Sequence, residues 1–341
     1  MTAFALETVS RAQRLVEPAL RAAVDQLPRR PRLISGYHRG WWDADGRTSN
    51  AGAGKALRPA LAVLSAQAAG ASPELALPGA VAVELVHDFS LLHDDVMDGD
   101  TERRHRPAAW AVFGIPQALL AGDAVLTLAV QVLADAATPG RDTALAALTD
   151  AVQQLVRGQF ADIELERRTD VSVETCLAME TDKTAALLAC SASIGARLVD
   201  GDPVLVDALH RYGSELGVSF QLVDDLLGIW GRPDVTGKPV LADLLAGKRS
   251  APVVAALRSG TPAGHELAEL FADGPPATAD DAARAADLIE AAGARDWCVA
   301  EADRRLATAL AALTELTDAQ LPPTVADELV ALARYVTERD R

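Results

Sequence analysis

Apolar residues recur every three to four positions along almost the whole chain, and strict alternation of apolar and polar residues is scarce. That period predicts an all-α fold, with helices near 5–27, 55–70, 79–98, 114–136, 142–167, 173–197, 203–230, 249–258, 279–292, 294–318 and 323–338. Proline and glycine punctuate the gaps, as at Pro28, Pro31, Gly36, Pro73, Gly140, Gly201, Gly231 and Pro233. No linker divides the chain, so 1–341 is expected to form a single domain. Two connections stand out. The stretch 28–54 holds Trp41 and Trp42, expected to pack the loop, and 231–248 holds Lys238 and Lys248. Long structured loops are often functional. Residues 260–280, rich in Gly, Pro and Ala, are expected to be a mobile surface excursion.

The N-terminal stretch carries Glu7 and Arg11 among its apolar residues, so it reads as an amphipathic helix and not as a secretory leader. No run of about 18 uncharged apolar residues predicts a membrane span.

Charge narrows the function. A net charge of −16 and a pI near 4.8 exclude a general nucleic-acid binder and a polybasic membrane patch. An anionic ligand needs cations gathered locally. Cys176, Cys190 and Cys298 are odd in number and lack metal-type spacing, which predicts free thiols in a reducing cytoplasm.

Two acidic clusters carry candidate chemistry. Asp94-Asp95-Val96-Met97-Asp98 ends a predicted helix. Asp94 and Asp98, four apart, share one helix face, and like charges there are unfavourable, the more so at the negative end of the helix dipole. A divalent cation removes both penalties, and hard carboxylate oxygens suit Mg²⁺. The second cluster, Asp224-Asp225, lies among Phe220, Leu222, Val223, Leu226 and Leu227, where an unpaired acid is costly to bury. A solvated helix end is the plain alternative for either cluster alone. Facing each other, the two are expected to hold a diphosphate between metal ions.

The cations are unevenly spent. Of 32 basic residues only four are lysines: Lys55, Lys183, Lys238 and Lys248. Lys55, Lys238 and Lys248 each follow a glycine, and Lys183 precedes Thr184. Glycine lets a backbone approach a ligand closely, and lysine offers phosphate a compact point charge. Chance retention under arginine-biased usage is the competing reading for any one of them. Arg103-Arg104 follows the first cluster and adds charge.

Seven ordered segments together resemble the trans-polyprenyl diphosphate synthase family. They are GAGKALRPAL (52–61), ELVHDFSLLHDDVMD (84–98), RRHRP (103–107), GQFADIELE (158–166), METDKTAALL (179–188), FQLVDDLLGIWG (220–231) and GKPVLADLLAGKRSAPVV (237–254). The resemblance implies helices around a deep central cavity, usually in a homodimer. It implies head-to-tail joining of an allylic diphosphate to isopentenyl diphosphate by ionisation, condensation and proton elimination, with Mg²⁺, three ions in all, as Lewis acid.

By position it assigns Asp94, Asp98 and Asp224 to Mg²⁺, with Asp95 and Asp225 in support. Arg103, Lys183 and Lys238 hold the allylic diphosphate, with Lys248 a further substrate-binding lysine. Lys55, Arg58, His87 and Arg104 hold isopentenyl diphosphate. Thr184 and Gln221 stabilise the allylic cation, and the released diphosphate takes the proton. Gln159 and Asp162 match family positions as supporting residues. His87 shares a helix face with Asp94; His93 and His105 have no such support and read as structural.

The chain departs from the family pattern at two places. Gly228 stands where the second aspartate region normally ends in Asp, and Ala53 replaces a glycine before Gly54-Lys55. Phe89, five residues before Asp94 and roughly 7–8 Å deeper along the axis, is a candidate floor for the growing chain, with Ser90 beside it. The resemblance then implies geranylgeranyl diphosphate as the main product and farnesyl diphosphate as the alternative. A class I terpene cyclase and a non-catalytic subunit of a heteromeric synthase are the rival classes. The isopentenyl-side residues and Asp224-Asp225 argue against the cyclase, and only Gly228 encourages the subunit.

Overall fold

The computed structural model describes residues 2–49, 56–165, 168, 170–231, 241–272 and 274–337. Along them run α1 (Thr2–Val24), α2 (Arg29–His38), α3 (Leu57–Ala68), α4 (Leu77–Met97), α5 (Ala109–Phe113), α6 (Ile115–Ala134), α7 (Arg141–Leu165) and α8 (Val173–Glu180). A five-residue π-helical turn, Thr181–Ala185, joins α8 to α9 (Ala186–Leu198). There follow α10 (Pro203–Trp230), α11 (Ala242–Leu245), α12 (Ala251–Leu257), α13 (Pro262–Leu270), α14 (Ala279–Ala291), α15 (Ala294–Thr314) and α16 (Pro323–Thr337). The β-structure among the described residues is one two-stranded hairpin, β1 (Glu102–Arg103) with β2 (Arg106–Pro107), and an isolated bridge between Trp42 and Thr48. The fold is all-α.

The chain divides into two compact units. The first comprises 1–152, 189–210 and 313–332; the second comprises 153–188, 211–312 and 333–341. In the first, α4 packs along α6 and against α3 and α1. Its core includes the fully buried Leu61, Leu64, Leu85, Leu92 and Leu133. In the second, Val218, Leu222, Val223 and Leu226 of α10 pack with Cys176, Val254, Cys298 and Ala302. All three cysteines are buried and free.

Two expectations need correction. The stretch 28–54 is not all loop, because Arg29–His38 is helical despite Pro28 and Pro31. Pro28 stands at the N-cap and Pro31 in the first turn, where the missing N–H has no helical acceptor to lose. Burial of Ile34 and Tyr37 against Leu92, Ala109 and Ala121 then holds the helix in place. Residues 260–280 are likewise not a structureless excursion. Pro262–Leu270 forms α13, capped by Thr261, whose hydroxyl accepts from the Gly264 N–H at 3.1 Å. Its Leu267 is fully buried.

Trp41 and Trp42 serve packing as expected. The Arg21 guanidinium lies 4.4 Å from the Trp41 ring centroid, and the Trp42 indole N–H donates to the Leu33 carbonyl at 2.7 Å. By length and composition α6, and α4 with the turn before it, are apolar enough to cross a membrane, which the reading of the sequence did not anticipate. Glu84, Asp88, Asp94 and Asp95 lie within α4, whose span is mostly buried in the protein, as in the core helix of a folded domain.

Candidate active site

In the first unit the end of α4 carries the carboxylates. Asp94 is half-buried and Asp98 is exposed, one turn apart, and the Asp98 N–H donates to the Asp94 carbonyl at 2.8 Å. Asp95 points elsewhere. It is 1 % exposed and accepts from Arg103 Nε at 2.8 Å, with Arg103 Nη2 on the same oxygen. Burial raises the Asp95 pKa against the pull of Arg103. Asp95 is therefore a support that orients Arg103 and the hairpin behind it.

That hairpin presents Arg104. Arg103 pairs with Arg106, so Arg104 and His105 are the two turn residues, with φ of +53° and +59°. Two central residues at positive φ make a type I′ turn, the geometry that favours Asn-Gly. Here it is built from an arginine and a histidine. Tyr37 and Arg106 latch the hairpin to α2. The Tyr37 hydroxyl donates to the Pro107 carbonyl at 2.8 Å, and Arg106 donates to the carbonyls of Tyr37 and Trp42 at 3.1 and 3.2 Å.

Around this corner the positive charge outweighs its partners. Arg58 lies in the first turn of α3, with Nε buried and without a hydrogen-bond partner. Burial lowers its pKa, against the attraction of Glu84 and Asp88. His87 is pushed well below the usual histidine range, first by burial and then by Arg58, Arg104, Arg39 and His38. It is a neutral imidazole at neutral pH. Glu84 and Asp88 are already committed. Arg39 donates to Asp88 at 2.5 Å and to Glu84 at 2.9 Å, with all three side chains buried. Burial opposes the Arg39 charge, but Asp88 and Glu84 more than offset it and raise its pKa. A corner holding Arg39, Arg58, Arg103 and Arg104 against Glu84, Asp88 and Asp95, in a chain of net charge −16, is suited to an anion.

In the second unit the π-helical turn Thr181–Ala185 carries Lys183 and Thr184. Such π-turns occur often at functional sites. Gly158 of α7 passes so close that a Cβ there would lie 2.3 Å from the Lys183 backbone nitrogen. Lys183 pairs with Asp162. The Thr184 hydroxyl donates to Gln221 Oε1 at 2.8 Å, and Gln221 Nε2 donates to Asp225 Oδ1 at 2.7 Å. The Ala251 N–H donates to the other Asp225 oxygen at 2.9 Å. Burial, partly offset by these donors, lifts the Asp225 pKa to about 7. Asp225 is thus a buried brace for Gln221, whereas Asp224 is exposed. Gln159, next to Gly158, is buried. Lys248 is half-buried, and its backbone N–H donates to the Asp243 carbonyl at 2.9 Å. Lys55 and Lys238, with Gly54 and Gly237 before them, lie outside the described residues.

Three features escaped the motifs, two of them in this unit. The first is Asp243 of α11. A Cβ on Gly228 would lie 1.9 Å from Asp243 Oδ2, so a carboxylate does cover position 228, though residue 228 does not supply it. Restoring the usual aspartate with Gly228→Asp is therefore expected to harm the protein. Asp243 must swing aside and two carboxylates crowd together, at a cost of about 1–3 kcal/mol. Thermal unfolding checks this, and Gly228→Asp with Asp243→Gly should regain most of the loss.

The second is Glu180, 2 % exposed, whose Oε1 accepts from the Cys176 thiol at 3.6 Å. Burial first, and then Asp225, raises its pKa well above the usual carboxylate range, so the folded state holds this proton more tightly than the unfolded chain does. The unfolded chain gives up that proton at lower pH, so the folded state gains from Glu180 most at low pH and loses that gain as pH rises. Urea unfolding from pH 5 to 8 should show falling stability in the parent and a shallower fall in Glu180→Gln. The third is His38 of the first unit, at the end of α2.

No three His, Cys, Asp or Glu side chains among the described residues are grouped closely enough to cage a metal ion alone. Asp94 and Asp98 in the first unit, and Asp224 in the second, carry hard carboxylate oxygens, the donor type that suits Mg²⁺.

A family model described as polyprenyl synthetase matches residues 46–289. The chain belongs to the polyprenyl synthetase family. It is 46 % identical over 342 residues to the (2E,6E)-farnesyl diphosphate synthase of Mycobacterium tuberculosis H37Rv, covering 99 % of this chain and 94 % of that protein. It is 42 % identical to the geranylgeranyl diphosphate synthase of the same strain, covering 97 % and 93 %. Among solved structures, a polyprenyl synthetase from Streptomyces coelicolor A3(2) superposes with a TM-score of 0.90 at 49 % identity, covering 97 % and 98 %. The reaction class of this polyprenyl synthetase is trans-prenyl transfer with isopentenyl and allylic diphosphates as substrates.

Proposed function

We propose that this polyprenyl synthetase is a Mg²⁺-dependent enzyme whose main product is geranylgeranyl diphosphate. The anion-suited corner of the first unit supports the substrate roles, and Phe89 carries the choice of product. Phe89 is 8 % exposed and packs edge-on against His93 with ring centroids 4.7 Å apart. His93 is backed in turn by the Leu119 carbonyl at 3.0 Å and by Gly122, where a Cβ would lie 2.4 Å from the imidazole. A ring seated this firmly is a floor that a growing chain does not push aside easily. Ser90, the next residue, is small and turns its hydroxyl back to the His87 carbonyl at 2.9 Å. Farnesyl diphosphate is the second reading, favoured by the 46 % identical relative.

The residues divide the work as follows. Arg58, His87 and Arg104, with Lys55, hold isopentenyl diphosphate. Arg103, Lys183 and Lys238, with Lys248, hold the allylic diphosphate. Asp94, Asp98 and Asp224 would hold Mg²⁺, three ions in all, and the metal would supply charge withdrawal from the departing diphosphate. Thr184 spends its proton on Gln221, which leaves its own oxygen lone pairs to face the allylic cation. The leaving diphosphate takes the final proton. The whole chain acts as one synthase domain in the cytoplasm. It works as a homodimer, supported by the exposed Ile115 and Leu120 on the apolar α6, and sedimentation should give twice the chain mass.

One assay tests the reading. The purified chain is incubated with Mg²⁺, isopentenyl diphosphate and dimethylallyl, geranyl or farnesyl diphosphate, and both hydrolysed prenols and hydrocarbons are analysed. Twenty-carbon prenol, lost on chelation of the metal, is the expected outcome. Fifteen-carbon prenol moves the product to the second reading. Cyclic hydrocarbons without isopentenyl diphosphate, or no turnover, would sink the proposal in favour of a cyclase or a non-catalytic subunit.

A further inference from the structure

α2 brings to the cationic corner a residue that no motif announces. His38 closes α2, is 7 % exposed, and shares the walls of one pocket with Tyr37, Gly40, Arg103, Arg104 and Arg106. Its Nε2 is buried without a hydrogen-bond partner. Buried polar atoms are nearly always satisfied, and an exception calls for an explanation.

The surroundings of the ring are one-sided in charge. The groups that act on it are Arg104, Arg103, Arg39 and Arg106, and His38 is itself felt by His87. Two of these arginines are spoken for, Arg39 by Asp88 and Glu84 and Arg103 by Asp95. Arg106 is tied to the carbonyls of Tyr37 and Trp42. Burial, and then these positive charges, holds the imidazole neutral, so it can donate an N–H without adding to the repulsion. A metal cation is excluded by the guanidinium groups. An anion with several oxygens, able to accept from guanidinium and imidazole together, fits.

We propose that His38 is a further binding residue for isopentenyl diphosphate, donating an imidazole N–H to the diphosphate that Arg58, His87 and Arg104 hold. The inference rests on the prenyl-transfer reading of the same site and adds α2 to it. A histidine that only filled space would be replaced at no cost in substrate affinity by another ring.

The test compares His38→Phe and His38→Gln with the parent. His38→Phe keeps a ring and removes the donor; His38→Gln keeps a donor near the position of Nε2. The loss of one hydrogen bond to a charged group predicts a KM for isopentenyl diphosphate about tenfold higher in His38→Phe. The KM for the allylic substrate should stay within about twofold, and His38→Gln should recover most of the loss. An unchanged KM for isopentenyl diphosphate in His38→Phe overturns the inference. So does an equal rise for both substrates in both variants with lowered melting temperatures, which marks a structural role. If the parent shows no turnover, the prenyl-transfer reading fails on its own account. Calorimetric titration of isopentenyl diphosphate into parent and His38→Phe then decides for His38: weaker binding to the variant supports it, equal binding overturns it.

Discussion

Arg104→Gly is expected to cut kcat/KM for isopentenyl diphosphate about a hundredfold while leaving the fold as stable as before, or more so. The two effects have separate causes. Arg104 occupies the first central position of a type I′ turn at φ +53°, and His105 the second at +59°. An L-residue held at positive φ costs about 1–2 kcal/mol, and glycine is free of that penalty. Glycine also loses more backbone entropy on folding, so the net gain is about 0–1 kcal/mol. The side chain lost is a guanidinium that feels Asp88 and Glu84, both already bound to Arg39, in a corner that also holds Arg58, His87 and His38. Removing a charged, multiply hydrogen-bonding group from a diphosphate forfeits about 2.7 kcal/mol, or two decades. Melting curves and initial rates on the same samples read both. A strained turn kept only for stability would give the reverse, with lower melting temperature and unchanged rate.

Arg39→Met is expected to lower folding stability by about 3–5 kcal/mol. The substitution leaves Glu84 and Asp88 buried one turn apart on α4 without the guanidinium that bridges them. Even with Arg39 present, burial raises the Asp88 pKa. Without it, Asp88 must enter the interior bare or bring a proton. A folded-state pKa raised further means that the folded protein binds the proton more readily than the unfolded chain. The penalty should therefore be largest near pH 8 and shrink as pH falls towards the ordinary carboxylate range. Urea unfolding at pH 5 and pH 8 measures it. Replacing all three with apolar residues, Arg39→Met with Glu84→Met and Asp88→Leu, should regain most of the stability, because the cost lies in the stranded charges. A single variant that unfolds at the parent urea concentration would show that the triad contributes nothing. The triad also sits beside His87, so it holds α4 in register with α2 at the corner proposed for isopentenyl diphosphate.

These contacts show where reading a sequence reaches its limit. Asp224 and Asp225 are indistinguishable as neighbouring acids near a helix end, yet one is exposed and the other is 6 % exposed and fully hydrogen-bonded. Arg39 looks like one of 28 arginines until α2 and α4 meet across 45 residues of sequence. Position 228 looks like a missing carboxylate until Asp243 is found covering it.

The cluster at 94–98, the pair at 224–225, the few lysines beside glycine or threonine, and the all-helical period were legible in the chain itself. Each is a local signal: hydrophobic period, residue type at fixed spacing, and the electrostatic awkwardness of like charges on one helix face. What only the tertiary structure decided is which groups near those motifs are already paired and which still have capacity for a ligand. Arg103, Asp225 and the two terminal nitrogens of Arg39 are committed to partners, while His38 Nε2 and Arg58 Nε are buried without one. Satisfaction of a buried polar atom depends on neighbours that arrive from distant parts of the chain, so no local pattern encodes it.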